Sequence, residues 1–141
     1  MKIKFTLDDG ATAPTRAHDT DAGLDLHSKR KAIVLPYSRQ LVPTGVHVAI
    51  PPGYVGMVCP RSGLAHNYGL TVLNAPGIID AGYTGEIKVN LHNTEDRAVV
   101  LPSGARIAQL VITPIPDARL EQVDSLDTTE RGDNGHGSTG Q

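Results

Sequence analysis

Fifteen glycines and ten prolines are spread through the 141 residues, and no window of helical periodicity survives them. Between these breaks lie short segments whose apolar residues alternate with polar ones. Val46, Val48 and Ile50 alternate with His47 and Ala49 before Pro51-Pro52-Gly53 turns the chain, and Val55, Met57 and Cys59 follow the same rule. The clearest case is Glu86-Ile87-Lys88-Val89-Asn90-Leu91-His92. A period of two bounded by turn residues marks β-strands. Ile3–Leu7, Ala32–Leu35, Ala98–Leu101, Ile107–Ile112 and Leu120–Val123 are further strand candidates, with one helical turn near Leu64–Tyr68. Many short strands at regular spacing predict an all-β sandwich, barrel or jelly roll. Its core must be aliphatic, because the chain has no Trp and a single Phe, Phe5.

The organisation is one domain, residues 1–123, followed by an arm, 124–141. Past Asp124 the only large apolar residue is Leu126, and Arg131 to Gly140 is polar and glycine-rich. Such a segment cannot bury enough surface to order itself; it is either a frayed terminus or an arm that closes over a ligand. A formal charge of −2 excludes a strong basic field for nucleic acid. The lone Cys59 cannot form an internal disulfide, so a reducing, cytoplasmic setting is the expectation, and no apolar run predicts a membrane span.

Five segments carry polar chemistry. Asp21-Ala22-Gly23-Leu24-Asp25-Leu26 is either an acidic turn into a strand or a carboxylate aimed at a metal. Pro60-Arg61-Ser62-Gly63 pairs a guanidinium fork with a hydroxyl and a glycine, which suits phosphate oxygens as well as it suits a structural turn. Asn74 to Glu86 reads as a hairpin whose backbone can imitate a base edge. Tyr83 there offers a flat face, and Asp80 is a candidate general base or an ordinary turn residue. Gln109 is a polar residue in an apolar strand and needs a partner, either in the core or on a ligand. In the arm, Arg131, Ser138 and Thr139 with flexible glycines suit a polyphosphate, and His136 suits stacking on a base.

In this order and at these spacings, the five segments resemble the trimeric dUTPase family from Asp21 to Gly140. The resemblance implies a distorted jelly roll of the β-clip type and a homotrimer. Three active sites would lie between subunits, with Mg²⁺ as cofactor and dUTP as substrate. It implies hydrolysis to dUMP and pyrophosphate, a reaction that keeps uracil out of DNA and supplies dUMP for thymidylate synthesis. Neither a stable nucleic-acid partner nor a membrane is implied.

Carried over by residue, Asp25 would hold metal-bound water, while Arg61, Ser62 and Gly63 would bind phosphate. Asn74 and the backbone of Gly77, Ile78 and Ile79 would read uracil, and Tyr83 would pack under deoxyribose and exclude a 2′-hydroxyl. Asp80 would orient the attacking water, and Gln109 would contact the α-phosphate region. Arg131, His136, Gly137, Ser138 and Thr139 would close over the nucleotide. Two other readings compete. One is a dCTP deaminase or bifunctional deaminase–diphosphatase of the same fold; the other is a regulatory binding protein on a dUTPase scaffold. Deamination needs an acid at the pyrimidine, and Glu86, the other acid near the hairpin, reads as strand surface.

The chain departs from the family pattern at His136, where Phe is common, and at Asn134, where Gly is. Stacking on an aromatic side chain is worth roughly 1–3 kcal/mol per base, and imidazole belongs at the low end. His136→Ala is therefore expected to lower turnover or affinity for dUTP modestly and His136→Phe to restore it. Identical steady-state kinetics for the three proteins would remove the stacking role.

Overall fold

The computed structural model describes residues 1–135. Its elements are β1 (Lys4–Leu7), β2 (Gly23–His27), β3 (Ala32–Val34), β4 (Arg39–Pro43), β5 (Val46–Ala49), β6 (Tyr54–Cys59), α1 (Ser62–Tyr68), β7 (Leu70–Val72), β8 (Gly77–Ile79), β9 (Lys88–Asn93), β10 (Val99–Leu101) and β11 (Arg106–Pro114). This is the distorted jelly roll expected of the sequence: four small antiparallel sheets wrapped around one aliphatic core. Among the described residues no helix is long and apolar enough to cross a membrane.

The largest sheet has the order β2-β11-β6-β8. β11 pairs antiparallel with both neighbours, so Gln109 faces Asp25 on one side and Cys59 on the other. A second sheet has the order β4-β9-β7, and β1-β5 and β10-β3 form two-stranded ribbons. Alternation maps directly onto burial: Val89, Leu91 and Asn93 of β9 point inward, as do Val46 and Val48 of β5. Leu26, Val34, Val42, Leu70, Ile107 and Leu110 complete the centre of the core.

Three strands escape the sequence pattern or fall short of it. β4 carries a single buried residue, Val42, after exposed Arg39, Gln40 and Leu41; it is a strand because β9 supplies its ladder. β7 has only three residues, and β2 begins in the acidic motif. Leu120–Val123, in contrast, forms no strand. Both of its apolar residues are exposed, Leu120 fully so, and no neighbouring strand offers a ladder. Among the described residues, β11, ending at Pro114, is the last strand.

Two buried polar side chains tie the sheets together. Thr44 Oγ1 donates to the Ile87 carbonyl at 2.6 Å and accepts from the Val46 N–H at 3.2 Å. Asn93 is fully buried, and its Nδ2 donates to the carbonyls of Val34 (3.1 Å), Leu35 (3.2 Å) and Arg97 (2.7 Å). Its Oδ1 accepts the Glu95 N–H at 3.0 Å. This amide joins the end of β9 to β3 and to the loop before β10. Replacing Asn93 with Leu fills a similar volume but orphans buried backbone groups, each costing about 1–3 kcal/mol. Chemical denaturation of Asn93→Leu is expected to show a loss of at least about 2 kcal/mol.

Candidate active site

Pairing in the β2-β11-β6 ladder brings the phosphate-type residues together. Residues directly opposite each other in a ladder project to the same face, so Asp25, Gln109 and Cys59 share one side of the sheet. At the end of β6 the chain leaves the sheet through Pro60, and Arg61, still extended, caps α1. That bend turns Arg61 back over β2, where its Nε donates to Asp25 Oδ1 at 2.9 Å. Arg106 Nη1 reaches Asp25 Oδ2 at 3.4 Å, and Arg61 Nη1 lies 3.4 Å from the Arg106 carbonyl. Gln109 Nε2 donates to the Pro60 carbonyl at 2.9 Å. Half-buried Gln109 thus finds its partner in a backbone carbonyl at the end of β6, which fixes the strand end carrying Arg61. The resulting cleft, about 310 Å³, is lined by Asp21, Gly23, Asp25, Arg61, Ser62, Gly63, Arg106 and Gln109.

Gly23 is required by close approach. A Cβ there would collide with Gln109 Oε1 and lie 3.1 Å from Gln109 Cβ. Arg61 and Arg106 both meet the Asp25 carboxylate at the floor of the cleft. A second carboxylate lining it, Asp21, contacts His18, whose N–H and Nδ1 lie 2.9 and 3.3 Å from its Oδ2. His27, two residues after Asp25, has a buried Nδ1 with no hydrogen-bond partner among the described residues. Burial pushes this imidazole below the ordinary histidine value of 6.5; Asp25 opposes that shift, while Arg106 and Arg61 reinforce it.

Asn74 to Glu86 does not close the expected hairpin: β8 pairs with β6, while β9 lies in another sheet with β4 and β7, so the segment (hereafter still the hairpin) is a crossover between sheets. Its residues form a separate cleft of about 320 Å³, lined by Asn74, Gly77, Ile78, Ile79, Asp80, Tyr83 and Glu86 among others. β8 leans on β6 through Gly77↔Val58 and Gly56↔Ile79. Tyr83 donates its hydroxyl to the Glu86 carbonyl at 3.0 Å, and its ring lies so close to Gly85 that a Cβ there would sit 2.6 Å from Tyr83 Cζ. Asp80 is exposed, and its carbonyl accepts the Tyr83 N–H at 3.1 Å. Glu86 is not the strand surface its place in the alternation suggests. Its Oε1 accepts the Gly45 N–H at 2.9 Å, and Lys88 Nζ lies 3.6 Å from its Oε2. It therefore fastens the hairpin instead of offering a free acid.

The structure keeps these two groups apart. β2 and β8 are the opposite edges of one four-stranded sheet, three strand spacings or roughly 14 Å from each other. Of the residues lining the hairpin cleft, Val58 and Gly77 lie on the core face of this sheet, while Ile78, opposite Met57, lies on the face of Asp25 and Gln109; the two clefts are separated by the width of the sheet. Arg131 is exposed, with Nε donating to the Asn134 carbonyl at 3.1 Å. His136, Gly137, Ser138 and Thr139 lie outside the described residues. The sequence singles out neither Arg106, which lines the cleft, nor its ladder partner His27, which does not. Arg106 stands three residues before Gln109 in the same motif, and its charge next to Gly104-Ala105 was an available signal; nothing in the sequence marked His27.

The family model for dUTPase matches residues 9–140. The chain belongs to the dUTPase family. The deoxyuridine 5'-triphosphate nucleotidohydrolase of Corynebacterium glutamicum is 50% identical over 136 residues, which cover 96% of this chain and 91% of that relative. The Mycobacterium tuberculosis protein of the same name is 51% identical over 140 residues, covering 95% and 91%. Among solved structures, the dUTPase of Staphylococcus bacteriophage 80alpha with dUPNHPP matches with a TM-score of 0.92 at 32% identity over 99% of both chains. A mutant dUTPase from phage phi11 of S. aureus, in which a structural Mg(II) ion is coordinated, matches at 0.82 with 30% identity over 89% of this chain and 98% of that one.

Placing dUTPase chemistry on these residues makes the contact at Gly23 decisive. Gly23→Ala is expected to displace Gln109 and with it Pro60 and Arg61. A misplacement of about 1 Å costs on the order of 10²-fold in turnover, so dUTP hydrolysis should fall by that order while far-UV circular dichroism stays unchanged.

Proposed function

We propose that this dUTPase hydrolyses dUTP to dUMP and pyrophosphate at sites shared between protomers of a homotrimer. The observation that carries the shared site is the separation described above: within one protomer the phosphate-type cleft and the hairpin cleft lie at opposite edges of a single sheet. Each cleft alone is at the small end of ligand pockets, which span about 300–1,000 Å³. One protomer supplies Asp25, Arg61, Ser62, Gly63 and Gln109, a second supplies the hairpin, and a third supplies the arm with Arg131, His136, Gly137, Ser138 and Thr139.

The division of labour follows from the chemistry of the groups. Asn74 and the Gly77–Ile79 backbone present donors and acceptors to the edge of uracil, and the Tyr83 ring occupies the space a ribose 2′-hydroxyl would need. Asp80 accepts a proton from a water in line with the α-phosphorus. The new bond joins that water oxygen to the α-phosphorus; the bond to the oxygen bridging the α- and β-phosphorus breaks, and its electrons leave with pyrophosphate. Arg61 and the Ser62 hydroxyl meet the charge that develops on the leaving group, and Gln109 keeps the Arg61 strand end in place. No covalent intermediate is needed, and Cys59 remains a packed strand residue.

A metal fits this donor set in one way. Among the described residues no three His, Cys, Asp or Glu side chains cluster, so the protein offers no cage. Asp25 is the one carboxylate at the cleft floor, its oxygens already braced by Arg61 and Arg106. That suits a Mg²⁺ carried by phosphate oxygens and touched by Asp25 through water, where it lowers the charge repulsion of the triphosphate.

A single experiment tests substrate and shared site together. Each of Asp80→Asn and Arg61→Ala, assayed with dUTP, dCTP, dTTP and UTP for pyrophosphate and ammonia, should lose roughly 10²–10⁴-fold of dUTP turnover. Refolding the two inactive proteins as a mixture should restore part of the activity, because some sites then combine an intact Arg61 with an intact Asp80. Full activity of an isolated monomer, or ammonia release from dCTP, defeats the proposal.

A further inference from the structure

The Asp80–Glu86 turn, which carries Asp80 and Tyr83, is held to the rest of the protomer at two points. One is the Glu86 carboxylate on the Gly45 N–H. The other is His47, in β5. Its Nδ1 lies 3.0 Å from the Thr84 carbonyl oxygen, and its Nε2 lies 3.2 Å from Asp8 Oδ1. A carbonyl and a carboxylate can only accept. A neutral imidazole has one N–H, so at one end it would set a lone pair against an oxygen; the imidazolium donates at both. The surroundings favour that cation. The Thr84 carbonyl holds the ring above the ordinary histidine value, partial burial opposes, and Asp8 and Glu86 add to the rise. Asp8 is itself kept below the usual carboxylate range, first by Lys29, whose Nζ donates to it at 2.9 Å. The charged groups around His47 are thus Asp8 after β1, Lys29 after β2, Glu86 ahead of β9, and Lys4 of β1, which lines the same small groove as His47 and Thr84.

We infer that His47 is a positioning residue for the reaction: as an imidazolium it clamps Thr84, and so the turn bearing Tyr83 and Asp80, to Asp8 on the body of the protomer. The inference rests on reading the hairpin as the nucleoside-binding half of the site. His47 acts through the backbone of Thr84. A residue whose cation is favoured by the folded state contributes fully below the ordinary value of 6.5 and loses its contribution as pH rises through the raised folded-state value. The clamp therefore slackens toward alkaline pH, and the affinity for dUTP falls with it.

The test uses the full-length protein with Mg²⁺. Imidazole ¹⁵N shifts of His47, followed from about pH 5.5 to about pH 9, should titrate with a midpoint above 6.5, and Asp8→Asn should lower that midpoint. His47→Gln retains a donor for one partner only. Below the midpoint it should raise KM for dUTP by roughly 2- to 10-fold, the loss of one net hydrogen bond, with a smaller change in kcat. The wild-type KM should climb toward the variant's as pH rises. A purely structural role would shift KM by one factor at every pH. A midpoint at or below 6.5, or KM–pH curves separated by a constant factor, overturns the inference. If dUTP is not turned over at all, the nucleoside reading of the hairpin fails, while the titration midpoint still decides the clamp.

Discussion

β11 is hydrogen-bonded along both edges, to β2 through Arg106–Val111 and to β6 through Gln109–Pro114, and the geometry of the phosphate-type cleft depends on that double ladder. Asp25 arrives from one side and Arg61 from the other, 36 residues apart in sequence. Their 2.9 Å contact exists because both flank Gln109. Buried Leu110 and Ala108 hold the same strand to the core, so the register that packs the interior also sets the register of the polar face. A one-residue slip would exchange the two faces and lose core and cleft together.

The same rigidity separates the two halves of the candidate site. Asp25 on β2 and the turn bearing Tyr83 after β8 lie at opposite edges of the sheet. The proposed sharing of the site between protomers would resolve this without bending the sheet. Catalysis would then depend on assembly, and each protomer would need its own means of holding the hairpin in shape for its neighbour. Glu86 on Gly45 and His47 on Thr84 serve that need. Both are charge-bearing contacts to backbone groups, and such hydrogen bonds exceed neutral ones in strength.

Much of the fold was legible because alternation is a physical requirement of a sheet with one buried face. It identified the segments that became β5, β6 and β9, and the glycines and prolines located the turns between them. The reasoning failed where a strand owes its existence to its neighbours. Arg39-Gln40-Leu41 shows no alternation worth the name and pairs because β9 is there; Leu120–Val123 has apolar residues but no ladder. Glu86 fits the alternating pattern of its segment, yet its carboxylate is claimed by a backbone N–H 41 residues away.

The candidate site divides in the same manner. Residue types and their order along the chain, from Asp25 through Arg61, Asn74, Asp80, Tyr83 and Gln109, were enough to show the resemblance to the dUTPase family, because several ordered motifs are far more specific than any one of them. Sequence alone also determined the aliphatic core and the all-β class. Only the tertiary structure decided that Gln109 braces Pro60, that Arg106 shares Asp25 with Arg61, that the hairpin packs at the far edge of the sheet, and that His47 meets Thr84 and Asp8 together. Each of these is a contact between segments distant along the chain. Strand register and sheet order set such contacts, and no local pattern of residues encodes them.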